Sequence, residues 1–316
     1  MPEELPALVV GEALVDLVRP ADGGADVEHV GGSPANVARG LARLGHGVVL
    51  ATHLGADARG DRIEAELAAD GVRLTAGSRG AERTSTALAT LDTSGAAQYE
   101  FALDWQHDAS SVDDTGVGHV HTGSIGATLE PGGSQVLGHL HGLRAGHTIS
   151  YDPNARPTLM GTPAAVRERL EAVTSLADIV KCSDQDLDWF YPELGWQEGA
   201  AHLATLGPRL VVVTAGGSGA HVLRPGGAGR RPATFAVAAP PVGVIDTVGA
   251  GDSFMAGLLS GLLDAGLLGG AGARAAWASP AAEAAVRTAV ARGIATGAWT
   301  VQRAGAGGPT RADLDA

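Results

Sequence analysis

Gly249-Ala250-Gly251-Asp252 is the stretch whose residue types point most directly to chemistry. Glycines let the backbone turn tightly, and a helix beginning there aims unpaired N–H groups and the positive end of its dipole at an anion such as a phosphate. Asp252 would stand beside that anion. A carboxylate repels a ground-state phosphate, so the residue acts either as an ordinary helix cap or as a base that takes a proton from an attacking hydroxyl. The four residues alone leave both readings open. Around them, the β-branched run Val242-Gly243-Val244-Ile245 predicts a short strand entering the core, and the apolar run from Phe254 to Leu263 predicts a helix.

Other residues in the chain carry chemical potential of their own. Asp16 lies in the apolar run Ala13 to Val18, where an acid is either at an exposed strand end or satisfied by hydroxyls such as those of a sugar. Gly31-Gly32-Ser33-Pro34-Ala35-Asn36 precedes an amphipathic helix, Val37 to Leu44. Ser33 with Pro34 marks the helix start, the glycines admit a ligand to the backbone, and Asn36 offers both a donor and an acceptor. Arg156 follows the strand Thr148 to Tyr151 in Asp152-Pro153-Asn154-Ala155-Arg156, and is a phosphate clamp or a surface arginine. Ser183-Asp184-Gln185-Asp186 begins a helix after a strand at Ala177 to Val180; its acids cap that helix or hold hydrated magnesium. The strand Leu210 to Thr214 runs into Ala215-Gly216-Gly217-Ser218-Gly219-Ala220, which lacks the full dinucleotide fingerprint. His119 and His121 share a strand face and His139, His141 and His147 cluster in sequence, but no second cysteine or paired carboxylate completes a zinc set.

Composition narrows the classes. A formal net charge of −13 disfavours nucleic acid and acidic membranes as partners. Lys181 is the sole lysine, so neither a P-loop nor a protein-kinase phosphate lysine is present, and phosphate binding must rest on backbone amides, arginines and a metal ion. One cysteine, Cys182, and an acidic rather than basic N-terminus lead us to expect a soluble cytoplasmic protein. Alternating strands and helices predict an α/β fold with a mainly parallel sheet. Thr84 to Leu91 and Ala97 to Leu103 interrupt the alternation as a hairpin around Asp92-Thr93-Ser94-Gly95. With Val27 to Val30 they predict a small lid, giving one domain with a lid from about residues 12–32 and 84–106. An alanine-rich helix is expected over Ala281 to Ala291, followed by a loop from Val301 to Pro309.

Taken together, Gly31-Gly32-Ser33-Pro34-Ala35-Asn36-Val37-Ala38 and Asp246-Thr247-Val248-Gly249-Ala250-Gly251-Asp252-Ser253-Phe254 resemble the two signatures of the ribokinase-like, or PfkB, carbohydrate kinases, in order and over almost the whole chain. The resemblance implies a sheet of about nine strands with helices on both faces and a β lid. It assigns Asp252 as catalytic base and Gly249, Ala250 and Gly251 as the anion hole. It assigns Asp16, Gly31, Gly32 and Asn36 to sugar contacts, Thr214, Gly216 and Gly219 to ATP, and Asp246 to the vicinity of a potassium ion. Magnesium is implied as well, although Ser183 and Asp186 depart from the Asn-x-x-Glu pattern that many members carry. Gly11-Glu12, the Asp152 to Arg156 segment and the Arg303 to Arg311 tail resemble bacterial fructokinases. A 2-keto-3-deoxygluconate kinase shares some of these features, but an acid sugar favours a second cation near the lid, and Ala97 to Asp108 has none. A nucleoside kinase would favour a more aromatic pocket. A sugar sensor that binds without turnover is the non-enzymatic alternative, and an exposed lid strand suits a homodimer.

Overall fold

The computed structural model describes residues 5–20, 25–91, 97–226 and 232–315. From the N-terminus, β1 (Ala7–Val10) is followed by β2 (Leu14–Arg19) and β3 (Val27–Gly31), then α1 (Ser33–Arg43), β4 (Val48–Ala51), α2 (Ala58–Ala69) and β5 (Val72–Leu74). Next come β6 (Thr86–Leu91), β7 (Ala97–Ala102), β8 (His119–Gly123), α3 (Gly132–Leu143) and β9 (Thr148–Asp152). The short α4 (Pro157–Met160) and α5 (Pro163–Leu176) lead to β10 (Ile179–Ser183), α6 (Asp184–Phe190), α7 (Gly195–Thr205) and β11 (Leu210–Thr214). The chain finishes through β12 (Ala220–Arg224), β13 (Ala233–Val237), α8 (Ala250–Asp264), α9 (Ala273–Ala276), α10 (Ala282–Thr300) and α11 (Arg311–Asp315).

Nine strands form one sheet in the order β13-β12-β11-β10-β9-β8-β1-β4-β5, parallel from β11 to β5 and antiparallel only at the β12 and β13 edge. Side chains alternate between its faces. Val9 packs with Leu41 of α1, Leu67 of α2, Leu258 of α8 and Val290 of α10, while Leu8 and Val10 pack with Leu140 of α3, Leu170 of α5, Leu187 of α6 and Leu203 of α7. Both faces are therefore covered, which explains why β1, β4 and β11 read as continuous apolar runs. A second sheet of four strands, β3-β2-β6-β7, is the expected lid. The turn expected at Asp92 to Gly95 lies outside the described residues. Among the described residues no helix is long and apolar enough to cross a membrane.

Three expectations need correction. Val242 to Ile245 is an irregular segment and not a strand, with Val244 62% and Ile245 71% exposed. Pro240 and Pro241 precede it and Gly243 interrupts it, and its backbone meets only the end of α10, through Ile245 N–H and Asp246 N–H to the Val301 carbonyl. Helix α10 runs on to Thr300 through glycines that look like stop signals. Gly293 and Gly257 instead let α10 and α8 touch, since a β-carbon at Gly293 would meet Phe254 and one at Gly257 would meet Thr296. Strand β10 begins two residues later than expected and extends to Ser183, so Lys181 is inside the sheet. Strands β5, β12 and β13, for which no signal was read, complete the sheet edges.

Candidate active site

Helix α8 starts at Ala250, inside the glycine turn, with Gly249 at its N-cap in the left-handed region (φ 72°). A β-carbon on Gly249 would strike Ala306, so only glycine fits where the turn passes the loop after α10. Asp252 therefore occupies the third helical position instead of the cap. It is 7% exposed, and its carboxylate holds three donors from elsewhere in the chain. Ser33 Oγ donates to Oδ1 at 2.7 Å, Asn36 Nδ2 donates to Oδ2 at 2.8 Å, and Asn154 Nδ2 lies 3.4 Å from Oδ1. The plain-capping alternative for Asp252 fails, because the carboxylate faces these groups and caps nothing.

Around Asp252 opens a cavity of about 350 Å³, between the C-terminal ends of the strands and the lid. Asp16, Gly32, Asn36 and Arg156 line it, together with Gly249 and Gly251; Ala87 and Phe101 close it from the lid side. Gly31 stands just behind, and a side chain there would collide with the Asp16 carboxylate. Burial raises the pKa of Asp16, while Arg156 and His29 oppose the shift. The Arg156 guanidinium is held by the Asn154 side chain at 2.5 Å, so Asn154 links the arginine to Asp252.

A second cavity, of about 390 Å³, lies on the other side of the glycine turn. Thr214, Gly216 and Gly219 line it with Pro240, Val244 and Ile294, an apolar slot suited to a planar base. Thr247 and Gly251 border both cavities, so the amide-rich start of α8 faces the junction between them. A group transferred from one cavity to the other passes that helix end.

Asp246 ties the glycine turn to the loop after α10. Its carboxylate accepts from Val248 N–H at 3.0 Å and Gly305 N–H at 2.8 Å, and these bonds lower its pKa. Asp186 lines neither cavity. It completes a capping box with Ser183 at the start of α6 and accepts from Ala155 N–H at 2.9 Å, which clamps the loop carrying Asn154 and Arg156. The capping alternative is thus the one the geometry displays. The buried histidines are likewise occupied: His119 bonds Thr148 and Ser150, and His107 bonds His139. Among the described residues no three acids, histidines or cysteines gather to hold a metal by themselves.

Several site residues escaped the sequence reading. Ser33 had been assigned only to the helix start and Asn154 only to a motif. Lys181, counted there solely to exclude other kinases, lies beneath the glycine turn and pairs with Asp152 at 2.9 Å; a β-carbon on Gly251 would come within 3.1 Å of its ammonium. Glu12 lines the first cavity, fully buried, accepting from Gly126 N–H at 2.8 Å. Its signals in the sequence are its place in the Gly11-Glu12 pair and an acid just past a buried strand.

Burial pushes the Glu12 carboxyl up to about 7 from 4.5. Between these two values the folded chain holds a proton that the unfolded chain has lost, so this residue makes stability fall as pH rises through the window. Glu12→Gln is expected to flatten that loss: the melting temperature of the variant relative to the parent should be higher at pH 8 than at pH 5. Taking the difference cancels the buried histidines, whose depressed pKa values work in the opposite sense.

A family model described as pfkB family carbohydrate kinase matches residues 6–313. The chain is 35% identical over 271 residues to a fructokinase of Klebsiella pneumoniae, covering 82% of this chain and 85% of that protein. Among solved structures, a fructokinase double mutant from Vibrio cholerae, described with fructose, ADP and potassium ion bound, superimposes with a TM-score of 0.82 at 27% identity, covering 99% of this chain and 97% of that one. Aminoimidazole riboside kinase from Salmonella enterica, complexed with aminoimidazole riboside and an ATP analogue, gives a TM-score of 0.79 at 26% identity over 98% of both chains. The match spans both cavities, the lid and the glycine turn between them, and the chain belongs to the pfkB family of carbohydrate kinases.

Proposed function

We propose that this chain is an ATP-dependent fructokinase, with fructose in the Asp252 cavity and ATP in the Thr214 cavity. The observation that carries the reading is the junction of the two cavities at Thr247 and Gly251, with Asp252 on the acceptor side. Asp252 takes the proton of a sugar hydroxyl as its oxygen attacks the γ-phosphorus; a sugar O–P bond forms, the bond to the ADP oxygen breaks, and ADP leaves. The amides at Gly249, Ala250 and Gly251 and the α8 dipole receive the negative charge, and Arg156, which lines the same cavity, contributes. Lid closure keeps water out of the junction.

Magnesium, when bound, neutralises phosphate charge, and the donor set suits an ion carried mainly by the nucleotide phosphates and water. Asp186 would meet it through water at most, since both its oxygens already accept amides. Asp246 would act on a nearby potassium ion through its charge, since both its oxygens already accept amides, from Val248 and Gly305. The open edges of the lid at β3 and β7 suit pairing with a second copy.

Arg156 is the one cation among the residues lining the acceptor cavity, against Glu12, Asp16 and Asp252. That balance favours a neutral sugar over 2-keto-3-deoxygluconate. Coupled ADP release with fructose, ribose, 2-keto-3-deoxygluconate and adenosine tests the assignment: turnover is expected with fructose, and its absence with all four overturns the kinase reading. Asp16→Asn is expected to raise KM for fructose about 10- to 100-fold while kcat changes much less, as when a buried charged acceptor of a sugar hydroxyl is lost. An unchanged KM removes Asp16 from the sugar site.

A further inference from the structure

We propose that Ser33 is a positioning residue for phosphoryl transfer: its hydroxyl fixes the Asp252 carboxylate so that one oxygen stays turned to the acceptor. The inference rests on the assignment of Asp252 as the base. Ser33 is the first residue of α1, and Gly32 (φ 103°) occupies the N-cap. Ser33 thus stands one residue past the position from which a serine caps a helix, and no side chain caps α1. The hydroxyl is spent instead on a residue 219 positions away, donating at 2.7 Å to Oδ1 of Asp252. Both groups are buried, Ser33 at 6% and Asp252 at 7% exposure, so water competes little for this charge-assisted bond.

The partner oxygen is gripped from the same helix. Asn36, three residues further along α1 and on the same face, donates to Oδ2 at 2.8 Å. Helix α1 in turn lies directly on α8: Gly40 is packed so closely that a β-carbon there would come within 2.6 Å of the Ala256 methyl. The two donors and the carboxylate therefore sit on two helices that cannot move independently. Asn36 also lines the acceptor cavity and its own Oδ1 is buried without a partner, so it has a second task toward the acceptor. Ser33 lines that cavity too, but its one hydroxyl proton is committed to Asp252. With Ser33 on Oδ1 and Asn36 on one lone pair of Oδ2, the second lone pair of Oδ2 is left to receive the proton.

Ser33→Ala removes the donor and adds no bulk. With fructose and ATP we expect kcat to fall about tenfold, the equivalent of one lost bond of this kind, with both KM values within twofold of the parent. The acidic limb of the kcat–pH profile should also move to higher pH, because a donor to the ionised carboxylate is gone. The charged neighbours coupled to Asp252 (Asp16, Asp152 and Lys181) are untouched by the substitution. Ser33→Thr, which retains the hydroxyl, should recover most of the rate and return the limb. An unchanged kcat and limb in Ser33→Ala overturns the inference, as does a raised fructose KM with kcat intact, which would make Ser33 a sugar contact. Asp252→Asn run in parallel separates the two levels. If it turns over like the parent, the base assignment has failed; if it is inactive while Ser33→Ala is normal, only the role of Ser33 has.

Discussion

Asp252→Asn is expected to lower kcat by about 10²- to 10⁴-fold, the usual contribution of a positioned general base, with little change in fructose or ATP binding. The substitution keeps size and shape and removes the proton acceptor. It also places an amide among three donors: turned one way its NH2 faces Asn36 and that bond is lost, and turned the other way Ser33 reverses to accept while the Asn154 amide loses its acceptor. That cost falls on stability, about 1 to 3 kcal/mol for one unsatisfied buried donor, and is read separately by thermal unfolding. Turnover within threefold of the parent would remove Asp252 as the base and leave the fold and family intact. The prediction is sharp because Arg156 and the α8 amides lack a free lone pair for the proton at neutral pH, and Asp16 is the other carboxylate lining the cavity besides Glu12. Glu12 is committed to Gly126 and half-protonated near neutrality.

Lys181→Met should destabilise the fold by about 3–5 kcal/mol, as expected when one partner of a buried ion pair is removed. Lys181 is 3% exposed and Asp152 fully buried, and the second oxygen of Asp152 has no hydrogen-bond partner among the described residues. Burial works against the Lys181 ammonium, but Asp152, Asp186 and Asp252 together outweigh it and raise its pKa, so the charge is held. Burial also raises Asp152, to about 6 with Lys181 opposing, so at neutral pH the pair is ionised on both sides. Urea unfolding at pH 7.5 tests the expectation. Adding Asp152→Leu to the variant should restore most of the loss, because an apolar pair of similar volume avoids the stranded charge. A single variant within 1 kcal/mol of the parent would show that the carboxyl is satisfied in some other way.

The parts of this protein legible in its sequence are those decided over a few neighbouring residues. The apolar runs of β1, β4 and β11 specify buried parallel strands because both sheet faces are covered. The glycines before α1 and α8 mark turns whose geometry other residues tolerate poorly, and each leads directly into its helix. Asp252 and Asn36 follow within one turn of such marks and Arg156 follows the end of a buried strand, so their presence in one cleft could be anticipated. Where the local signal was ambiguous the fold chose differently. Val242 to Ile245 has the residue types of a strand but no neighbouring strand to complete its ladder, and Gly293 has the type of a helix stop but fills a helix–helix contact.

What only the tertiary structure decided is which polar groups meet. The hydroxyl of Ser33 reaches Asp252 because α1 lies on α8, and Lys181 finds Asp152 because β10 lies beside β9. Asp186 is turned toward a loop amide by the start of α6 and so is withdrawn from the cleft. Such pairings depend on register and packing between elements far apart in the chain, while local propensity acts over about one helical turn. The sequence by itself determined the strand–helix alternation, the glycine turn and the acid beside it. The packing of α1 against α8 determined what holds that acid in place, since a hydrogen bond requires a distance that no spacing along the chain encodes.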